Sequence, residues 1–164
     1  MTVKKIEIER LSVTSSKPFA AVVDAIKARV GRPDMIEFAR SIRGVRSFDE
    51  LERTVSAGLG KTGLMLFMEF DQGAVLRKES GRDAPKMVRL LIGNPLVMKE
   101  MAKHVPDAGS YAPVTISVDE RPDGVHLSYD RMASFLAPYG NADALAVARE
   151  LDSKIETLLR ESAV

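Results

Sequence analysis

The sequence has no cysteine, no tryptophan and only two histidines. Without thiols, disulfides, thiolate metal centres and cysteine nucleophiles are excluded. His104 and His126 stand apart, and neither has a second histidine at ligand spacing, so no metal site and no cofactor are expected. An excess of one charge is also missing: 24 basic residues face 23 acidic ones, for a net charge of +1. Such a balance offers no electropositive footprint, and neither nucleic acid nor a membrane surface is expected as a partner. The densest basic group, Arg77, Lys78, Arg82, Lys86 and Arg89, is interrupted by Glu79 and Asp83 and reads as solvated surface. Long apolar runs are lacking too. Leu64–Met68 and Leu90–Ile92 are the longest, far short of the roughly 20 residues that cross a bilayer. Residues 1–7 carry charges with no apolar stretch behind them, unlike a signal peptide. A soluble, cytoplasmic protein is the expectation.

What is present is a well-punctuated alternation of strands and helices. The most informative unit runs from Val88 to Val105: an apolar strand, then Gly93-Asn94-Pro95, then a Met-rich amphipathic helix. Gly93 turns sharply, the Asn94 side chain caps the helix, and Pro95 suits the first helical position because no backbone donor is needed there. Residues 3–14 read as a strand, with a change of buried parity near Arg10 that a bulge would explain. Ser16 is placed as the cap of a helix through Val30, with Phe19, Val22, Val23, Ile26 and Val30 as its stripe. Asp34…Glu37 and Ser47…Glu50 have capping-box spacing and open two shorter helices, over 34–43 and 48–58.

Leu64–Phe70 is short and almost wholly apolar and reads as a central strand. A short helix over 74–80 and a strand over Met87–Ile92 follow. Val114, Ile116 and Val118, then Val125, Leu127 and Tyr129, alternate with polar residues around Arg121-Pro122-Asp123-Gly124, which makes an antiparallel hairpin. Asp130 is expected to cap a short helix, and Asn141 a long closing one with Leu145, Ala148, Leu151, Ile155 and Leu158 on one face. The pattern predicts an α+β fold over a single domain, 1–164. It is a two-layer sandwich with a mainly antiparallel sheet of about five strands and helices mostly on one face.

Gly58-Leu59-Gly60-Lys61-Thr62-Gly63 matches G-x-G-x-x-G and ends like a P-loop. Both motifs need a strand before and a helix after, so that a helix N-terminus meets the phosphates. Here the order is reversed, and position 55 is valine, so the segment reads as a helix terminus and connector. No serine lies in a nucleophile elbow. The polar residues left for a site gather at element ends: Asp71 and Gln72, Asn94, and Ser128-Tyr129-Asp130.

Leu91-Ile92-Gly93-Asn94-Pro95, then Tyr111-Ala112-Pro113 leading into Val114–Glu120, then Gly124–Asp130 with its Ser-Tyr-Asp corner, together resemble the domain of unknown function 302 family. Phe70-Asp71 is similar to that family's Phe/Ile-Asp-His element, with Gln72 where the pattern has histidine. The resemblance covers 64–159 well and 3–30 loosely, and it marks 32–61 as a helical insertion. It implies a TATA-binding-protein-like fold and a homodimer, and no established activity.

The leading expectation is a non-catalytic module binding a small ligand through Asn94, Tyr129, Asp130, Asp71 and Ser128, with Arg131 available to an anion. These groups are expected around one concavity. The alternatives are an enzyme using Asp71 or Asp130 as base and Tyr129 as acid, and a homodimeric structural or interaction domain with residues 34–58 as its contact surface.

Overall fold

The computed structural model describes Met1, Val3 and residues 5–164. In chain order the elements are β1 (Arg10–Ser15), α1 (Phe19–Lys27), α2 (Met35–Gly44), α3 (Phe48–Ala57), β2 (Met65–Phe70), α4 (Gly73–Ser80), β3 (Met87–Gly93), α5 (Pro95–Ala102), β4 (Val114–Arg121), β5 (Gly124–Asp130), α6 (Met132–Leu136) and α7 (Ala142–Ala163). The strands form one sheet in the order β1-β5-β4-β3-β2, every neighbouring pair antiparallel. This is the predicted α+β sandwich.

Strand alternation separates the two faces of the sheet. Val88, Leu90 and Ile92 of β3, Val114, Ile116 and Val118 of β4, and Val125, Leu127 and Tyr129 of β5 are all buried on one face. Val22, Val23 and Ile26 of α1, Met101 of α5 and Ala148, Leu151, Ile155 and Leu158 of α7 complete that core. The other face of the sheet is left open.

The expected caps over 34–58 and at Asn94 and Asn141 are present: Asp34 accepts from Ile36 N and Glu37 N, Ser47 from Glu50 N, Asn94 from Leu96 N and Asn141 from Ala144 N. Several expectations need correction. The first strand is shorter than 3–14: Lys4 lies outside the described residues, and Arg10 is the first residue with a partner, because β5 ends at Asp130 opposite it. No bulge is needed, since Ile6 and Ile8 precede the strand. Ser16 does not cap α1. The helix starts at Phe19 with Pro18 in the cap position, whose side chain cannot accept a bond, and the Ser15 hydroxyl accepts from Lys17 N. The helix stops at Lys27 because Gly31 is drawn to the sheet, donating to Leu64 O and accepting from Leu66 N, both at 2.8 Å. Finally, β2 is an edge strand. Its outward side chains Met68 and Phe70 are 48% and 42% exposed, so an apolar run on both faces did not mean burial on both.

Candidate functional site

Pairing register carries residues from every strand into one row across the open face. Ser12 is opposite Ser128, Ser128 opposite Ser117, Ser117 opposite Arg89 and Arg89 opposite Phe70. Beside this row Arg10 faces Asp130, and Thr115 faces Leu91, which faces Met68. Where the rows meet the end of the sheet, a cleft of about 350 Å³ opens. Its floor includes Ser117, Ser128 and Thr115, and Arg10, Asp130 and Arg89 line it as well. Tyr111, from the segment before β4, and Phe135 of α6 also line it; their rings stack with centroids 4.7 Å apart.

The two guanidinium groups differ in their commitments. Arg10 grips Asp130 with two bonds, Nε to Oδ1 at 2.6 Å and Nη2 to Oδ2 at 2.8 Å. That hydrogen bonding and charge hold the Asp130 carboxyl below its ordinary range and raise Arg10 in turn. Arg89 donates only to a neutral acceptor, the Thr115 hydroxyl, from Nη2 at 3.0 Å and Nε at 3.3 Å. Among the described residues it has no carboxylate partner. The cleft therefore holds one uncompensated positive charge beside several hydroxyls and an aromatic wall.

Tyr129 and Asp130 leave the strand in opposite directions. The Tyr129 backbone reaches the cleft, but its ring is 2% exposed and points into the core. Its hydroxyl donates to Asp152 Oδ1 at 2.6 Å and accepts from Met132 N at 3.1 Å. Asp152 also accepts from Met132 N at 2.8 Å and Ala133 N at 3.1 Å. Burial first, and then the Asp152 charge, push the Tyr129 phenol far above its ordinary value. Hence Asp130 does not cap α6: it is held by Arg10, and the cap comes from Asp152 of α7.

The remaining expected site residues lie elsewhere, so the clusters do not converge. Antiparallel pairing puts Asp71, after β2, at the opposite end of the sheet from Asn94, after β3. Asp71 accepts from Ala74 N at 2.9 Å and from Arg77 Nη2 at 2.6 Å, and hydrogen bonding from Arg77 lowers its carboxyl. Asn94 accepts from Leu96 N at 2.8 Å and donates to Gly63 O at 3.0 Å, beside a small crevice of about 110 Å³. Arg131 is spent on Glu9 and Glu156, each at 3.2 Å, and borders another cavity. Only Ser128, Asp130 and the Tyr129 backbone share the open-face cleft.

Sequence reasoning missed Arg10, Arg89, Thr115 and Ser117 as cleft residues because only register across strands joins them, and Tyr111 and Phe135 because they meet by tertiary stacking between distant segments. Asp152 did leave a signal: it lies four residues after Ala148 and three before Ile155, so it is an acid inside an apolar helical stripe.

Comparison with known proteins agrees with the motifs. The family model described as "Domain of unknown function DUF302" matches residues 40–162. The match starts within α2 and takes in all of α3, part of the segment that the motifs marked as an insertion. The structure described as "Crystal structure of uncharacterized conserved protein DUF302 from Bacillus stearothermophilus" is similar in fold, with a TM-score of 0.66 and 10% identity over 93% of this chain and 97% of that one. No protein of curated function matches the chain.

Proposed function

The chain belongs to the DUF302 family, whose description names no activity, and we propose that it is a binding module for a small organic anion, held in the cleft on the open face of the sheet. The observation that carries this reading is Arg89, a guanidinium bonded to the Thr115 hydroxyl with no carboxylate partner among the described residues. An oxyanion completes that arrangement, because charge-assisted bonds to guanidinium are about twice as strong as neutral ones. Ser117 and Ser128 supply hydroxyl donors on the same floor, and the Tyr111–Phe135 wall suits a flat apolar body. A cleft of about 350 Å³ sits at the small end of the range for small-molecule sites.

Catalysis by a carboxylate and a tyrosine is supported less well. Asp130 and Asp71 are both lowered by arginine partners, where a general base working near neutral pH wants a raised value. The Tyr129 phenol is shut away in the core. Self-association is a second reading, favoured by Met68 and Phe70, two large apolar side chains left exposed on the open face.

Benzoate is a suitable first probe, since it joins a carboxylate to a flat ring. Titrated against labelled protein, it is expected to shift the amide signals of residues 110–117 and 128–135. Arg89→Ala should weaken it at least tenfold, about 1.4 kcal/mol. Shifts confined to other regions, or equal affinity in the variant, would refute the reading. Sedimentation of the wild type against a Met68→Ser, Phe70→Ser double variant tests self-association, which predicts a dimer lost on substitution.

A further inference from the structure

The Gly58-Leu59-Gly60-Lys61-Thr62-Gly63 segment is not accounted for by the open-face cleft. Its glycines are explained by packing and by backbone conformation, Gly63 having a φ of 71°. A β-carbon on Gly31 would lie 1.9 Å from Gly58 O, and one on Gly60 would lie 2.3 Å from Gly31 N, so backbone touches backbone here. The turn is also fastened by hydrogen bonds. Gly60 N donates to Leu64 O at 2.9 Å, Thr62 donates from N and Oγ1 to Arg29 O at 3.3 and 3.1 Å, and Gly63 O accepts from Asn94. Close packing and the turn geometry thus explain the glycines without a phosphate, and leave Lys61 unexplained.

That rigid turn forms one wall of a groove of about 580 Å³; the other wall is α7 with Ser153, Lys154, Thr157 and Glu161. Lys154 Nζ stands over Gly63, where an added β-carbon would meet it at 3.8 Å. Of the charges lining the groove, Arg29 and Glu161 answer each other at 3.2 Å. Lys61 and Lys154 form no ion pair among the described residues. The Thr62 and Thr157 hydroxyls donate to backbone carbonyls, which leaves the Ser153 hydroxyl as an uncommitted donor in the same groove.

We propose that this groove binds a phosphorylated small molecule, its phosphate held between Lys61 and Lys154 with a bond from Ser153. Two unpaired ammonium groups match the roughly two negative charges of a phosphate monoester, and lysine serves phosphate as a point charge. No aromatic residue lines the groove, so the phosphate dominates recognition. The site is separate from the open-face cleft and does not depend on it.

Inorganic phosphate, titrated at low salt and followed by amide chemical shifts, tests the proposal. Saturable shifts are expected at residues 60–63 and 153–157, at least tenfold weaker in Lys61→Ala, Lys154→Ala protein and unchanged in Arg89→Ala protein. A Lys61→Gln, Lys154→Gln pair, with melts of all variants, guards against an unfolded sample. Linear, unsaturable shifts would overturn the proposal. So would equal affinity in the lysine variants, or equal binding of chloride at matched ionic strength.

Discussion

Tyr129 and Asp130 are neighbours in the chain and belong to polar clusters on opposite faces of the sheet. The inner one is closed: Tyr129 and two backbone amides of α6 all converge on Asp152, and each buried donor has an acceptor. The outer one is open: Arg10 and Asp130 pair in partial contact with water, while Arg89 has only a hydroxyl. Burial decides the difference. In the core an unmatched group is expensive, so the inner cluster is complete and fixes structure. On the open face water makes incompleteness cheap, which leaves charge free for a ligand. Side chains grouped by sequence adjacency would have merged the two.

Removing Asp152 should show the largest effect. Asp152→Ala leaves the Tyr129 hydroxyl and the amides of Met132 and Ala133 without their acceptor, a loss of about 3–5 kcal/mol. Urea unfolding measures it, and a loss under about 1 kcal/mol would erase the proposed contrast. Tyr129→Phe takes away one hydroxyl from the same cluster and should cost about 1–2 kcal/mol, while Asp152 keeps its two amides. Read as a ligand residue, Tyr129 would lose binding and little stability; the core location reverses that ordering. Asn94→Ala, outside both clusters, removes a helix cap and a bond to Gly63, and about 0.5–2 kcal/mol with them. A thermal melt locates it between the inner and outer variants.

The smallest effect belongs to the outer pair. Asp130 is lowered in the folded state, so its bond to Arg10 stabilises at neutral pH and is lost as pH falls through the lowered value. Solvent screening keeps this below about 1 kcal/mol. Asp130→Asn should therefore differ slightly from wild type at pH 7 and converge with it well below the ordinary carboxylate value of about 4. A gap that persists in acid would assign Asp130 a role beyond its charge.

Local rules made much of the fold legible. Asp34, Ser47, Asn94 and Asn141 each act on amides two or three residues away, so a window of sequence contains both partners. Alternation in β4 and β5 likewise named the buried face. The cleft was not legible in that way. Arg10, Ser128, Ser117 and Arg89 come from four strands, and only register aligns them. Asp130 was misplaced because its true partner, Arg10, and its supposed task, performed by Asp152, both lie far along the chain.

The strand order has a consequence for when the cleft comes into being. β2, β3 and β4 each pair with the strand next in sequence, while β1 pairs with β5, and Arg10 meets Asp130 across 120 residues. Closing so long a loop is entropically slow compared with zipping up the meander. During folding β1 should dock last, bringing Arg10 to a floor that Ser117, Ser128 and Arg89 have already formed. A partly folded chain would carry an unpaired Asp130 whose charge cancels that of Arg89 in the forming cleft, and it would attract anions less than the finished protein is proposed to, so affinity itself would mark the completed molecule.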